Sequence, residues 1–280
     1  MKIELFHGEG FHEFFQCPDA AGQRDNGVRA INAGAVGMTT VGEYYLLRDK
    51  LQPLNPDVVV LGLFMSNDIN FNLGHQERRD ARGTSWVDRL RRHSALVHFL
   101  NLRALAINPR HRLWRDSPDV ALTLIDSHGL HMLSDPAGEI ATYMREPSEL
   151  IDRAFEVLRG VLHQFVDLGG ECGFSFAVLL IPSPSAVAGS LVLPHHPRML
   201  EELAEHGIHI DESDLDFALP TRRVRAICAD LGIPCIDATA RMRRVGMEVF
   251  FPTDEHPTVI GHSVLALELL AHLDLLLPRD

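Results

Sequence analysis

NPDVVVLGLFMSNDIN, residues 55–70, reads as a turn, a buried strand and a polar break, in that order. Asn55, Pro56 and Asp57 are turn formers. Val58 to Phe64 is an unbroken apolar run with three β-branched residues at its start, the pattern of a strand covered on both faces in a parallel sheet. Ser66, Asn67 and Asp68 then follow directly, which puts a polar tripeptide at the carboxyl edge of that sheet. Open α/β folds place their ligand sites at this edge. The same three residue types also begin helices by accepting hydrogen bonds from free N–H groups, so a plain helix start is the competing reading.

Working outward, the chain has 280 residues and is 46% hydrophobic, enough to bury a full core. One domain over 1–280 is expected, with a helical and loop insertion at about 71–149. A formal net charge of -12 argues against a nucleic-acid or anionic-membrane surface, because such partners are held mainly by Lys and Arg. A small neutral molecule is the better-matched partner. The cysteines Cys17, Cys172, Cys228 and Cys235 have no CxxC spacing and read as buried, reduced thiols. No metal site and no cofactor are expected. Nothing near Met1 resembles a secretory leader, and no apolar run reaches the roughly 20 residues of a membrane span, so a soluble, cytoplasmic chain is expected. The oligomeric state is left open.

Upstream of the opening stretch, Lys2 to Phe6 reads as a short strand and Gly8-Glu9-Gly10 as a turn. Phe11 to Ala21 is ambiguous, with Pro18 limiting any helix there. Val28 to Ile31 reads as a strand that runs into Asn32-Ala33-Gly34-Ala35-Val36-Gly37-Met38-Thr39-Thr40. The two glycines allow close approach of the backbone, and Thr39 or Thr40 can cap a helix over Val41 to Leu51. That turn lacks the full dinucleotide fingerprint, and no lysine follows as in a phosphate loop.

Between Phe71 and Glu149 the strand and helix rhythm stops. Helical patterns at Arg78 to Arg92 and Ser94 to Ile107 give way to a proline-punctuated excursion, read as an insertion or lid that adds no strand to the sheet. His111, His128 and His131 lie in it without a ligand spacing and read as structural or solvent histidines. The rhythm returns with Ser148 capping a helix over Leu150 to Leu168 that ends at Gly169-Gly170. Phe174 to Ile181 is the next buried strand. Ser183 and Ser185 follow it, but neither sits in a Gly-x-Ser-x-Gly elbow, so both read as ordinary loop residues. Thr221 to Leu231 is a further helix and Pro234 to Ile236 a short strand. Finally, FFPTDEHPTVIGH at 250–262 precedes a helix over Ser263 to Leu276. An Asp and a His two apart in such a loop can pair so that the carboxylate fixes the imidazole tautomer. The other ring nitrogen is then free to act as a base, although an exposed His at a helix start is the plainer alternative.

Taken together, Asn32 to Thr40, Ser66 to Asp68 and Asp254 to His256 resemble, in order and element type, the blocks of the SGNH (GDSL-type) hydrolases. The resemblance spans Val28 to Leu276, with 71–149 its most divergent part. It implies a three-layer α/β/α sandwich with a parallel, flavodoxin-like sheet, and hydrolysis of small acyl or acetyl esters. It also implies site roles: Gly37 (backbone N–H) and Asn67 (side chain) as oxyanion donors, His256 as general base and Asp254 as its orienter. A binding protein that has lost catalysis and an O-acyltransferase are the alternatives. Three departures stand out. Met65 replaces a usual glycine, Asp254 is two rather than three residues before the histidine, and the nucleophile is missing, for residues 1–27 contain no serine. One register puts Gly8-Glu9-Gly10 on the family's Gly-Asp-Ser, leaving Gly10 in the nucleophile's place. The other would start the chain beyond the first strand and strip the sheet of its centre, which is the physically poorer choice.

Overall fold

A computed structural model describes residues 2–6, 29–34, 38–74, 135–205, 209–253, 255–272 and 276. Strands β1 (Lys2–Phe6), β2 (Arg29–Asn32), β3 (Val58–Phe64), β4 (Ser175–Ile181) and β5 (Cys235–Asp237) form one sheet in the order β2-β1-β3-β4-β5. Every pairing is parallel. This is the flavodoxin-like order, with its switch of direction between β1 and β3. β1 lies between β2 and β3, Leu5 opposite Asn32 on one side and Val60 on the other. β1 is therefore an interior strand, paired on both sides.

All seven residues of β3 are buried, and successive side chains enter different cores. Val59, Leu61 and Leu63 join Phe176, Val178 and Leu180 of β4 beneath one helical layer. That layer contains α1 (Thr40–Leu46), α3 (Glu149–Cys172) and α6 (Leu219–Asp230). Between α1 and α3 in the chain comes α2 (Asp135–Tyr143). Val58, Val60 and Phe64 instead join Ala177, Leu179 and Ile181 on the opposite face. There they pack against α4 (Pro184–Ala188), α7 (Thr239–Val245) and α8 (Val259–Ala271). The result is the expected three-layer α/β/α arrangement. Full burial of each large apolar side chain contributes about 1.5–3 kcal/mol, so this two-sided strand is a main source of cohesion.

Several boundaries differ from the sequence reading. α3 does not stop at Gly169-Gly170 but runs to Cys172, where Gly173 takes φ 81° as its left-handed cap. Gly169 serves a different end: a Cβ there would lie 2.9 Å from the Phe174 carbonyl oxygen, so the glycine permits close packing of helix on chain. The expected helix over Val41 to Leu51 is α-helical only to Leu46, with Thr39 as its cap, and continues as a wider π-type turn over Leu47–Leu51. The last helix begins four residues early, at Val259, because Thr258 accepts the Gly261 N–H, and it ends at Ala271. Cys228 is buried, whereas Cys172 and Cys235 are only partly covered, and Cys17 lies outside the described residues.

Of the stretch 71–149, the described residues contribute helix and no strand of the sheet. Residues 71–74 complete a helical run begun at 68, and α2 follows at the far end. His111, His128 and His131 lie outside the described residues. α2 packs with α5 (His196–Glu205) around Ile140, Tyr143, Met199 and Leu203, a small core separate from the two that sandwich the sheet. No helix among the described residues is long and apolar enough to cross a membrane.

Candidate active site

Parallel pairing brings the carboxyl ends of the strands to one edge. β3 projects there beyond β1, since Phe6 is level with Leu61. The turn Met65-Ser66-Asn67 crowns β3, anchored by the Met65 N–H donating to the Ile181 carbonyl at 2.9 Å. The Asp68 carboxylate turns back and accepts the Phe64 N–H at 2.8 Å, closing the turn from within. Ser66 is buried and Asn67 half-buried.

The loop carrying His256 arrives at the same place from the other end of the chain. The Phe251 N–H donates to the His256 carbonyl at 3.1 Å, Phe250 bridges to Pro257, and the Thr258 N–H reaches the Val249 carbonyl at 2.8 Å. This narrow loop is pressed against α8 at Gly261, where a Cβ would come within 2.2 Å of the Val249 carbonyl oxygen. The His256 ring stacks on Phe64, with centroids 5.9 Å apart and planes 26° from parallel. The Ser66 hydroxyl donates to the Glu255 carboxylate, joining the two loops directly. His262 lies buried behind them, its pKa lowered by burial first and by the neighbouring His256 second.

Of the residues singled out from sequence, His256 and Asn67 belong to these two adjoining loops. Gly37, Asp254 and Gly10 lie outside the described residues. Glu255 is the participant that the sequence reading passed over. Its only signal is a position between two residues of interest, since a contact spanning 189 residues leaves no local pattern.

Beneath the β3 turn lies a polar region shared with α1. The Asn72 carboxamide oxygen accepts the Val41 N–H at 3.1 Å. Glu43 is almost fully buried, and burial first, then the charge of Asp68, push its carboxyl well above the ordinary value. Glu43 Oε2, Thr40 Oγ1, Asn72 Nδ2 and both polar atoms of Asn70 are buried without hydrogen-bond partners.

A second buried network lies beyond β4. Ser183 accepts the Ala186 N–H at 3.1 Å as the cap of α4 and shares a hydrogen bond with the Tyr143 hydroxyl. Tyr143 donates to Glu139 Oε1 at 2.8 Å, and His196 Nε2 lies 3.2 Å from Glu139 Oε2. Burial, followed by the charge of Glu139, raises the Tyr143 pKa well above its usual value, with a smaller push from Glu255. Ser183 and Ser185 are fully buried, and the stretch read as a loop is a short helix that Ser183 caps and that contains Ser185.

No family profile matches the chain, and no curated protein matches it. Solved structures do. TesA is 13% identical, with 99% of this chain and 100% of that chain covered and a TM-score of 0.45. An acetyl xylan esterase, AlAXEase, is 12% identical over 98% and 100% of the two chains, with a TM-score of 0.47. Axe2, an acetylxylan esterase from Geobacillus stearothermophilus, is 11% identical over 97% and 93%, with a TM-score of 0.46. At these values the similarity is one of outline.

Proposed function

We propose that this chain is a hydrolase scaffold of the SGNH type for small acyl or acetyl esters, with its site at the carboxyl edge of β3. The observation that carries the reading is the junction of the Ser66–Asp68 turn with the Glu255–His256 loop, through the Ser66–Glu255 hydrogen bond and the His256–Phe64 stack. In this reading Asn67 and the Gly37 N–H donate to the developing oxyanion, where one such donor is worth about 3 kcal/mol. His256 is the base, and Asp254 fixes its tautomer.

The nucleophile's place belongs to Gly10, which has no hydroxyl to give, so the covalent route is closed in the chain as it stands. What remains is oxyanion stabilisation and a water activated by His256. Triads stripped of a member retain roughly 10³ to 10⁴-fold over water. A second reading, a binding protein that holds acyl esters without turning them over, is favoured by the lack of any serine in residues 1–27.

Hydrolysis of p-nitrophenyl acetate tests the proposal. Weak turnover is expected, lowered about 10²-fold or more by Asn67→Ala and lowered, with the oxyanion contribution remaining, by His256→Ala. Turnover indifferent to both substitutions would remove the site.

A further inference from the structure

We propose that Glu139, His195 and His196 bind a divalent transition-metal ion of the zinc class. Each offers one ligand atom, and the three atoms lie within 4.8 Å of one another. The His196 Nε2 to Glu139 Oε2 separation of 3.2 Å is close to that between two ligands sharing one tetrahedral ion with bonds of about 2.0–2.2 Å. Glu139 and His196 are almost wholly buried, so the carboxylate is removed from water. Among the described residues, no lysine or arginine pairs with it. His195, edge-on to His196 with centroids 4.9 Å apart, turns a buried Nε2 that has no hydrogen-bond partner. A buried carboxylate without a fixed cation and a buried imidazole nitrogen without a partner are both accounted for by one ion between them. Two imidazoles and one carboxylate suit zinc and its neighbours rather than calcium or magnesium.

Binding requires one rearrangement. The Leu193 N–H donates to His196 Nδ1 at 3.2 Å, which leaves the ring proton on Nε2, facing Glu139. When the ion takes Nε2, that proton moves to Nδ1 and the Leu193 hydrogen bond is given up, so the ring keeps one proton throughout. Three protein ligands leave a fourth position for water. The ion would fasten α2 to the start of α5, beside the Tyr143–Ser183 contact. This function is independent of the ester site and survives or falls separately from it.

The test uses the whole chain, freed of metal by a chelator and titrated with Co²⁺, followed by visible absorption, and with Zn²⁺, followed by calorimetry. About one ion per chain is expected, with the intense visible bands of low-coordinate Co²⁺ and a Tm that rises with free Zn²⁺. His195→Ala removes a ligand but no hydrogen bond to its Nε2, so the variant folds. It should bind at least about tenfold more weakly, the smallest loss seen even for an outer partner of a metal site. His163→Ala controls for a surface site, since the exposed His163 pairs with Asp167 at 2.9 Å, and it should leave binding unchanged. Absence of stoichiometric binding, binding untouched by His195→Ala, or binding lost with His163→Ala would each overturn the proposal.

Discussion

Glu43 shows how much of a site's character rests on single residues that no local pattern announces. It sits on the apolar side of α1, where Oε2 has no partner, and the Asp68 carboxylate faces it from the β3 turn. A carboxyl whose pKa is raised in the folded state contributes favourably below its ordinary value of 4.5 and loses that contribution as the pH rises. Glu43→Gln keeps the shape and removes the charge. It should stabilise the protein at pH 7, because an amide has no ionised form whose hydration is given up on burial beside Asp68. The advantage should shrink as the pH falls towards 4.5, and denaturant unfolding at both pH values reads it directly. The Ser66–Glu255 hydrogen bond is illegible for a related reason: it depends on two loops meeting after the sheet has formed. Asn67 stands out in the sequence because it follows a recognisable strand, and His256 because it lies two residues after Asp254 in a loop before the last helix.

At the scale of elements, the strands were the most legible, because a parallel sheet covered on both faces writes itself as continuous apolar runs such as Val58 to Phe64. Helix ends were less so. Gly169-Gly170 looks like a stop, yet the helix passes through it to Gly173, since Gly169 answers to Phe174 rather than to the helix. The two glycines should therefore respond oppositely to alanine. Nothing lies within 4 Å of a Cβ at Gly170, so Gly170→Ala should stabilise by about 0.5–1 kcal/mol through helix propensity. Gly169→Ala must push Phe174 aside and should destabilise by about 1–3 kcal/mol. Paired thermal melts decide this, and equal shifts of the same sign would show that the packing at Gly169 is not tight. The network of Glu139, Tyr143, Ser183 and His196 is invisible in sequence because its members come from α2, the loop after β4 and the start of α5, with Glu139 and His196 57 positions apart.

For the whole molecule, the order β2-β1-β3-β4-β5 gives the chain its functional logic. β1 is paired on both sides, by β2 and by β3, so the carboxyl ends of these three strands meet at one edge of the sheet. The sheet and both helical layers could be anticipated from apolar periodicity. Within 71–149 the helical periods at Arg78 to Arg92 and Ser94 to Ile107 give way to a stretch broken by Pro109, Pro118 and Pro136, and residues 75–134 lie outside the described residues. The ester site proposed above is assembled around His256 and lacks its nucleophile at Gly10. The most direct measurement is labelling by a fluorophosphonate probe, located by mass spectrometry, on three proteins: the unmodified chain, Gly10→Ser, and Gly10→Ser combined with His256→Ala. No label is expected on the first, a label on the introduced serine of the second, and none on the third. A label on Ser66, Ser183 or any other native serine of the unmodified chain, or an unlabelled but folded Gly10→Ser protein, would contradict the proposal.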